Sequence, residues 1–504
     1  MTGFASKRNR ARKIARTIIL GGFLLAAVVA LAFAGRASRV QAAPRPLDDT
    51  STTTRKDQVD LAVTVYNSNV ALVRDVREIH LPSGTFPLKF EDVAASINPA
   101  TVHFRSITDS QRLSVLEQNY EYDLLDPAKL LLKYVGREVT LVHRESENNS
   151  TKWVETKATL LADNNGPVWK IGNEIVTGTP AESYRFPELP DNLYSQPTLV
   201  WLLENSGAKS QRVEASYLTN GMNWNADYVL TVSRDEKSAD LDGWVTLVNG
   251  SGTGYTNAKL QLVAGEVHRV APAREMNGIA ELKSMARDVA AAAPFAQENF
   301  SEYHLYSLGR RTTIADKESK QISLLNATGA TVTKFFLVSG QPYYYRNPQG
   351  IGNPIPQPVT VNYRFKNDEK SGLGMPLPAG TMRVYQADSK GGIQLVGEDN
   401  ISHTPKDETV TIHVGDAFDV ICERKETDYK KISSNVYEFE YEITLRNHKT
   451  SDITVEVREP IGSDWEVEKS NYKETKLDSS TLGFQIPVTK DGTATLDYRV
   501  RVKW

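Results

Sequence analysis

The sequence predicts an all-β protein, mainly antiparallel and divided into several sandwich- or barrel-like domains. Three observations lead there. Apolar and polar residues alternate with a period of two over many short runs, as strands with one buried and one wet face require. Asn-Gly, Gly-rich and Pro-rich breakers punctuate those runs at turn spacing. The 504 residues include 21 Tyr and abundant Thr and Val, types that fit a pleated, half-buried surface.

At the N-terminus a basic cluster (Lys7, Arg8, Arg10, Arg12, Lys13, Arg16) precedes the apolar run TIILGGFLLAAVVALAFAG, and Val40-Gln41-Ala42 follows. This is the layout of a secretory signal over 1–42, with Val40 to Ala42 suiting cleavage after Ala42 and Ala32-Phe33-Ala34 as an earlier candidate. The apolar run is also nearly long enough to remain as a membrane anchor. The expected location is therefore exported, periplasmic or at the cell surface, with any membrane attachment through that segment alone. Cleavage would remove eight basic residues and no acidic ones, taking the formal charge from −3 to −11. Such acidity argues against nucleic acid as a partner. Cys422 is the one cysteine, so no internal disulfide can form, and its strand-like surroundings suggest a buried, inert thiol.

Residues 43–60 are polar and breaker-rich and read as a flexible tether. A first β domain follows over 61–195. It opens with a hairpin in LAVTVYNSNVALVRDVREIHL and a strand around Phe86, Leu88 and Phe90, and ends in a barrel-like set of short strands from Glu138 to Val176. One short helix near 127–135 is set by Asp126 as cap, Pro127 at the first helical position and Gly136 as stop. A central domain over 196–414 is organised around the stretch from Tyr217 to Val267. There Asn220-Gly221 and Asn249-Gly250 are expected to turn antiparallel strands into hairpins.

An Ala-rich insert near 280–293 has helical spacing but a thin apolar face, which favours a surface insert over a docked helix. The Pro- and Gly-rich loop SGQPYYYRNPQGIGNPIPQP comes later and is too long for a plain turn. Residues 415–504 alternate most cleanly, in VYEFEYEITLRN and ATLDYRVRVKW. About seven short strands there suggest an immunoglobulin-like sandwich without its disulfide.

The eight His are scattered, and there is no G-x-S-x-G elbow, Walker loop or Cys pair. Gly250-Ser251-Gly252-Thr253-Gly254 lacks the Lys and helix of a phosphate loop and reads as a turn. Asp240-x-Asp242-Gly243 and Asp163-Asn164-Asn165-Gly166 carry oxygen ligands but complete no EF-hand. No catalytic residue, metal site or cofactor is expected. Trp224 and Trp244, with Tyr228 and Tyr255, are of the type that lines a sugar-binding face, although their strand context favours the sheet core. Tyr343, Tyr344, Tyr345 and Arg346 stand in the Pro-rich loop, where rigid aromatics can serve as contact anchors for a protein or glycan partner, the alternative being packing of the loop on its own domain.

VYNSNVALVRDVREIHLPSG, FEDVAASINPATV, YEYDLLDPAKLLLKYVG, YLTNGMNWNADYVL, GWVTLVNGSGTGYTNAKLQLVAG, GLGMPLPAGTMRVYQ and GDAFDV occur in that order. In these passages the chain resembles a bacterial family of exported proteins carrying domain of unknown function 4139. That domain also looks related to the C-terminal half of mucoidy inhibitor A proteins. The resemblance implies β architecture and an envelope location, and it brings no reaction or catalytic residue. The expectation is a non-enzymatic envelope protein that presents surfaces to an envelope protein or polysaccharide. The alternative is an envelope hydrolase acting on glycan or peptide.

Overall fold

The computed structural model describes residues 51–121, 124–147, 150–177, 181–190, 193–265, 295–300 and 302–504. The expected signal over 1–42 and the Ala-rich insert near 280–293 lie outside the described residues. Strands dominate and are gathered into five mainly antiparallel sheets, none of them a closed barrel. Residues 51–60, expected to belong to a tether, form the strand Ser51–Thr53, a 3-10 turn Arg55–Asp57 and the start of the strand Gln58–Tyr66. A capping box explains the turn, since Thr54 and Asp57 satisfy each other's backbone N–H groups.

The α-helix among the described residues is Pro127–Lys133. Asp126 accepts from the backbone N–H of Ala128 and Lys129, both at 2.9 Å, and Pro127 opens the first turn. Leu131 and the following Tyr134 pack on Val139, Leu141, Leu160 and Trp169. The strands here form an open five-stranded sheet, in the order Glu174–Thr177, Val168–Ile171, Ser150–Ala162, Glu138–Glu147, Ser183–Arg185. The barrel-like expectation is corrected accordingly: the two end strands are only three and four residues long and do not meet each other.

One large core joins what the sequence suggested as two domains. Phe90 and Trp201 from a four-stranded sheet, Val63 and Tyr217 from an eight-stranded sheet, and Trp224, Tyr228, Leu241 and Leu324 from a ten-stranded sheet all belong to it. The strand Met222–Val232 shows why. Met222, Trp224, Ala226, Tyr228, Leu230 and Val232 are all buried, while the residues between them face outward.

Asn220-Gly221 and Asn249-Gly250 do not close hairpins. The strand Ser210–Asn220 pairs with Val70–His80 in the eight-stranded sheet, whereas Met222–Val232 pairs with Ser238–Asn249 in the ten-stranded one. Asn249-Gly250 returns the chain to the first sheet, where Tyr255–Ala264 runs parallel to Gln58–Tyr66. The two corners touch: the Gly250 N–H donates to the Gly221 carbonyl at 2.6 Å. Gly221 has φ +83, and a Cβ there would lie 2.6 Å from the Gly250 oxygen. Only glycine fits this crossing. The buried Asn249 holds the second corner by donating to the carbonyls of Thr253 and Ala315 and accepting from Ser251. The Gly-rich run is therefore a structural turn.

A 22-residue strand, Glu318–Ser339, runs from this core into the next. Its first part pairs antiparallel with Ser238–Asn249, and its end pairs parallel with Ile453–Pro460. The C-terminal core lies between Ile453–Pro460 with Thr481–Val488 on one side and Val420–Lys431, Val436–Asn447 and Thr493–Lys503 on the other. This is a two-sheet sandwich with alternating strands, as expected. It also takes in Phe336, Val338, Tyr344, Tyr345 and Val359 from before residue 415. Among the described residues no helix is long and apolar enough to cross a membrane.

Candidate functional site

The outward side of the ten-stranded sheet follows from strand alternation. In Ser238–Asn249, Leu241, Val245 and Leu247 face the core, so Asp240, Asp242, Trp244, Thr246 and Val248 face solvent. Trp244 is 39% exposed. Its register partners are Asp227 on Met222–Val232 and Ser323 on the long strand. Around the indole, Thr246 Oγ1 donates to Asp227 Oδ2 at 2.7 Å, and Arg383 donates to Asp227 Oδ1 at 3.2 Å. Asn326 donates to Asp242 at 2.5 Å. Arg383 also pairs with Glu398 at 2.9 Å, which ties the guanidinium to carboxylates on both neighbouring strands. Tyr385 lies on the same face, opposite Thr231. From two strand spacings of about 4.8 Å and four residues of about 3.3 Å each, the Trp244 and Tyr385 positions are about 16 Å apart.

Trp224 is elsewhere. It is fully buried, and its indole N–H donates to the Val263 carbonyl at 3.3 Å. The sugar-face expectation therefore fails for Trp224 and is physically open for Trp244.

The Tyr343-Tyr344-Tyr345-Arg346 loop is a 3-10 turn, Pro342–Tyr345, folded into the C-terminal sandwich. Tyr344 and Tyr345 are 3% and 0% exposed. They are core residues and offer no free ring to a partner, so for these two the contact-anchor reading is corrected in favour of packing on the protein's own core. The Tyr345 hydroxyl lies 2.6 Å from Glu459 Oε2 and 2.7 Å from the Tyr498 hydroxyl. Arg424 pairs with Glu459, donates to the Tyr498 hydroxyl at 3.2 Å, and lies over the rings of Tyr344 and Tyr441. Burial, reinforced by the Glu459 charge, pushes the Tyr345 phenol well above its ordinary value. Only the two ends of the loop reach solvent: Tyr343 is 53% exposed, and Arg346 is exposed with its guanidinium 5.1 Å from the centroid of Trp504.

Other constellations carry ordinary structural roles. A cleft of about 540 Å³ lies where the long strand changes sheets, and charged side chains in it pair with one another: Lys334 with Glu236 at 2.7 Å and Arg364 with Glu456 at 3.1 Å. Cys422 is buried, and burial pushes its thiol up to about 12. Asp240 accepts from the Gly329 N–H at 2.8 Å, which is turn chemistry. Among the described residues no group of three His, Cys, Asp or Glu is placed to hold a metal ion.

Five mainly antiparallel sheets packed around three hydrophobic cores, with an exposed Trp on one sheet face and a C-terminal sandwich, define a multi-sheet β protein. The chain belongs to the family described as Domain of unknown function (DUF4139), whose profile matches residues 213–504. The match spans the Trp244 face and the whole C-terminal sandwich. No curated protein matches the chain.

Proposed function

We propose that this is a non-enzymatic binding module of the cell envelope that holds a polysaccharide strand along the Trp244 face. One observation carries the reading. Trp244 stands on the exposed face of a sheet among Asp227, Asp242, Thr246, Gln321 and Asn326, an aromatic ring surrounded by hydrogen-bonding side chains. Aromatic rings stack on the apolar faces of sugars while neighbouring amides and carboxylates satisfy the hydroxyls. The surrounding groups are already held by mutual hydrogen bonds, so little ordering remains to oppose binding. Tyr385, further along the same face, supplies a second ring for an extended chain. The basic cluster and apolar run before residue 43 support placing the module outside the cytoplasm.

Affinity electrophoresis of the purified protein through gels containing entrapped envelope polysaccharides tests this. The protein is expected to be retarded by at least one polymer, and Trp244→Ala to weaken retardation at least tenfold with a nearly unchanged melting temperature. Equal retardation of the variant, or none for either form, would overturn the assignment. Shortening of the polymer, read as new reducing ends, would favour a hydrolase instead.

A further inference from the structure

We infer that the polymer held along the Trp244 face is an amino-sugar chain with free, charged amines, an inference that rests on the polysaccharide reading above and narrows it to one chemical class. Charge carries it. Between the Trp244 and Tyr385 positions, the outward charged side chains on the described strands are Asp227, Asp240, Asp242, Glu398 and Arg383. The single guanidinium is already committed, to Asp227 at 3.2 Å and to Glu398 at 2.9 Å. Among the described residues Asp240 and Asp242 form no ion pair. Each is instead fixed through one oxygen: Asp240 Oδ1 accepts from the Gly329 N–H at 2.8 Å, and Asp242 Oδ1 accepts from Asn326. The second oxygen of each is left to accept from a ligand.

Strand register sets these carboxylates along the course of the chain. Asp242 stands two residues from Trp244, about 6.6 Å along the strand. Asp240 is level with Tyr385, because both are in register with Thr231, and two strand spacings of about 4.8 Å separate them. A polymer passing from the Trp244 ring to the Tyr385 ring crosses the apolar Val229, in register with Asp242, and keeps both carboxylates on one flank. Stacking of sugar C–H faces needs only the rings. A free amine gains more, since an ammonium beside Trp is attracted by the ring and each open carboxylate offers a charge-assisted hydrogen bond. An N-acetyl group removes that charge, and a uronate meets like charge. Exposed contacts of this kind are each worth up to about fivefold in affinity, so a chain that makes several should bind at least about tenfold more tightly with its amines free.

Isothermal titration calorimetry of the purified protein at pH 6 and low salt tests this with hexamers of glucosamine, N-acetylglucosamine and galacturonate, and with hexalysine as a polycation that has no sugar face. The glucosamine hexamer is expected to bind at least tenfold more tightly than the other three. Asp240→Asn/Asp242→Asn keeps an acceptor oxygen for Gly329 and Asn326 while removing both charges. It should lower the glucosamine hexamer to the level of the N-acetylated one and leave the latter unchanged, whereas Trp244→Ala should weaken both. No binding of the glucosamine hexamer, equal binding of the N-acetylated hexamer or of hexalysine, or a preference for free amines that survives in the double variant would overturn the inference. In each of those cases the wider polysaccharide reading still stands if the N-acetylated hexamer binds and Trp244→Ala abolishes it. Glucosamine binding unchanged in Trp244→Ala would overturn both.

Discussion

Replacing Arg424 by Met leaves Glu459 as a charge inside the C-terminal core. The two side chains are 1% and 0% exposed, so water cannot take over the lost partner. Glu459 would keep only the Tyr345 hydroxyl, at 2.6 Å. Breaking one side of a buried pair costs about 3–5 kcal/mol, because the remaining charge stays desolvated. Removing both charges is a different perturbation: in Arg424→Met/Glu459→Leu, Tyr345 and Tyr498 still share their 2.7 Å hydrogen bond, and stability should return to within about 1–2 kcal/mol of the parent. A chain with several cores need not unfold in one step, so the measurement is local. Hydrogen exchange in Val436–Asn447 and Thr493–Lys503 should accelerate about 10²–10⁴-fold in the single variant and largely recover in the double. Acceleration under tenfold in the single, or a double as labile as the single, would refute the claim that the pair is coupled in a dry core.

Three further outcomes follow from buried groups and tight corners. Burial holds the Glu426 carboxyl above its ordinary value of 4.5, against the backbone N–H donors of Gln349 and Gly350. A raised folded-state value means its contribution is fully favourable below pH 4.5 and is lost as pH rises through the folded value. Glu426→Gln should therefore stabilise at neutral pH and lose that advantage in acid, as paired melts at pH 7 and pH 4 would read. Gly221→Ala places a methyl 2.6 Å from the Gly250 carbonyl at φ +83 and should cost at least about 1–3 kcal/mol by denaturant titration. Cys422, with its thiol pushed up to about 12, should react with an aromatic disulfide reagent at pH 8 only after urea unfolds the sandwich.

The strand content, the capped helix and the alternation of the last ninety residues were legible because each depends on local pattern. The corners were not. Asn-Gly supplies positive φ both to a hairpin and to a strand leaving its sheet, and only the distant partners of Ser210–Asn220 and Met222–Val232 decide between them. Residues before 415 that join the sandwich core were hidden for a related reason. The strand Glu318–Ser339 belongs to two cores, and its parallel partner Ile453–Pro460 lies more than a hundred residues away.

For the candidate sites, residue parity held more information than residue type. Trp224 shares the odd-or-even phase of Met222, Ala226, Tyr228 and Leu230, whereas Trp244 shares that of Asp240, Asp242 and Thr246. The first set is a core stripe and the second a wet one, so strand phase alone separates the two Trp residues. The same rule marks the buried network. Arg424 and Glu426 fall in phase with Val420 and Cys422, and Glu459 falls in phase with Val455 and Val457. A charge on the apolar phase of a strand must find a partner inside, and Arg424 found Glu459. What parity could not supply was the third element, the turn carrying Tyr344 and Tyr345, because Pro and Gly on either side break the period that would have placed it. That turn fixes Arg346 over Trp504, so the accessible end of the loop owes its geometry to tyrosines whose composition had suggested a surface role.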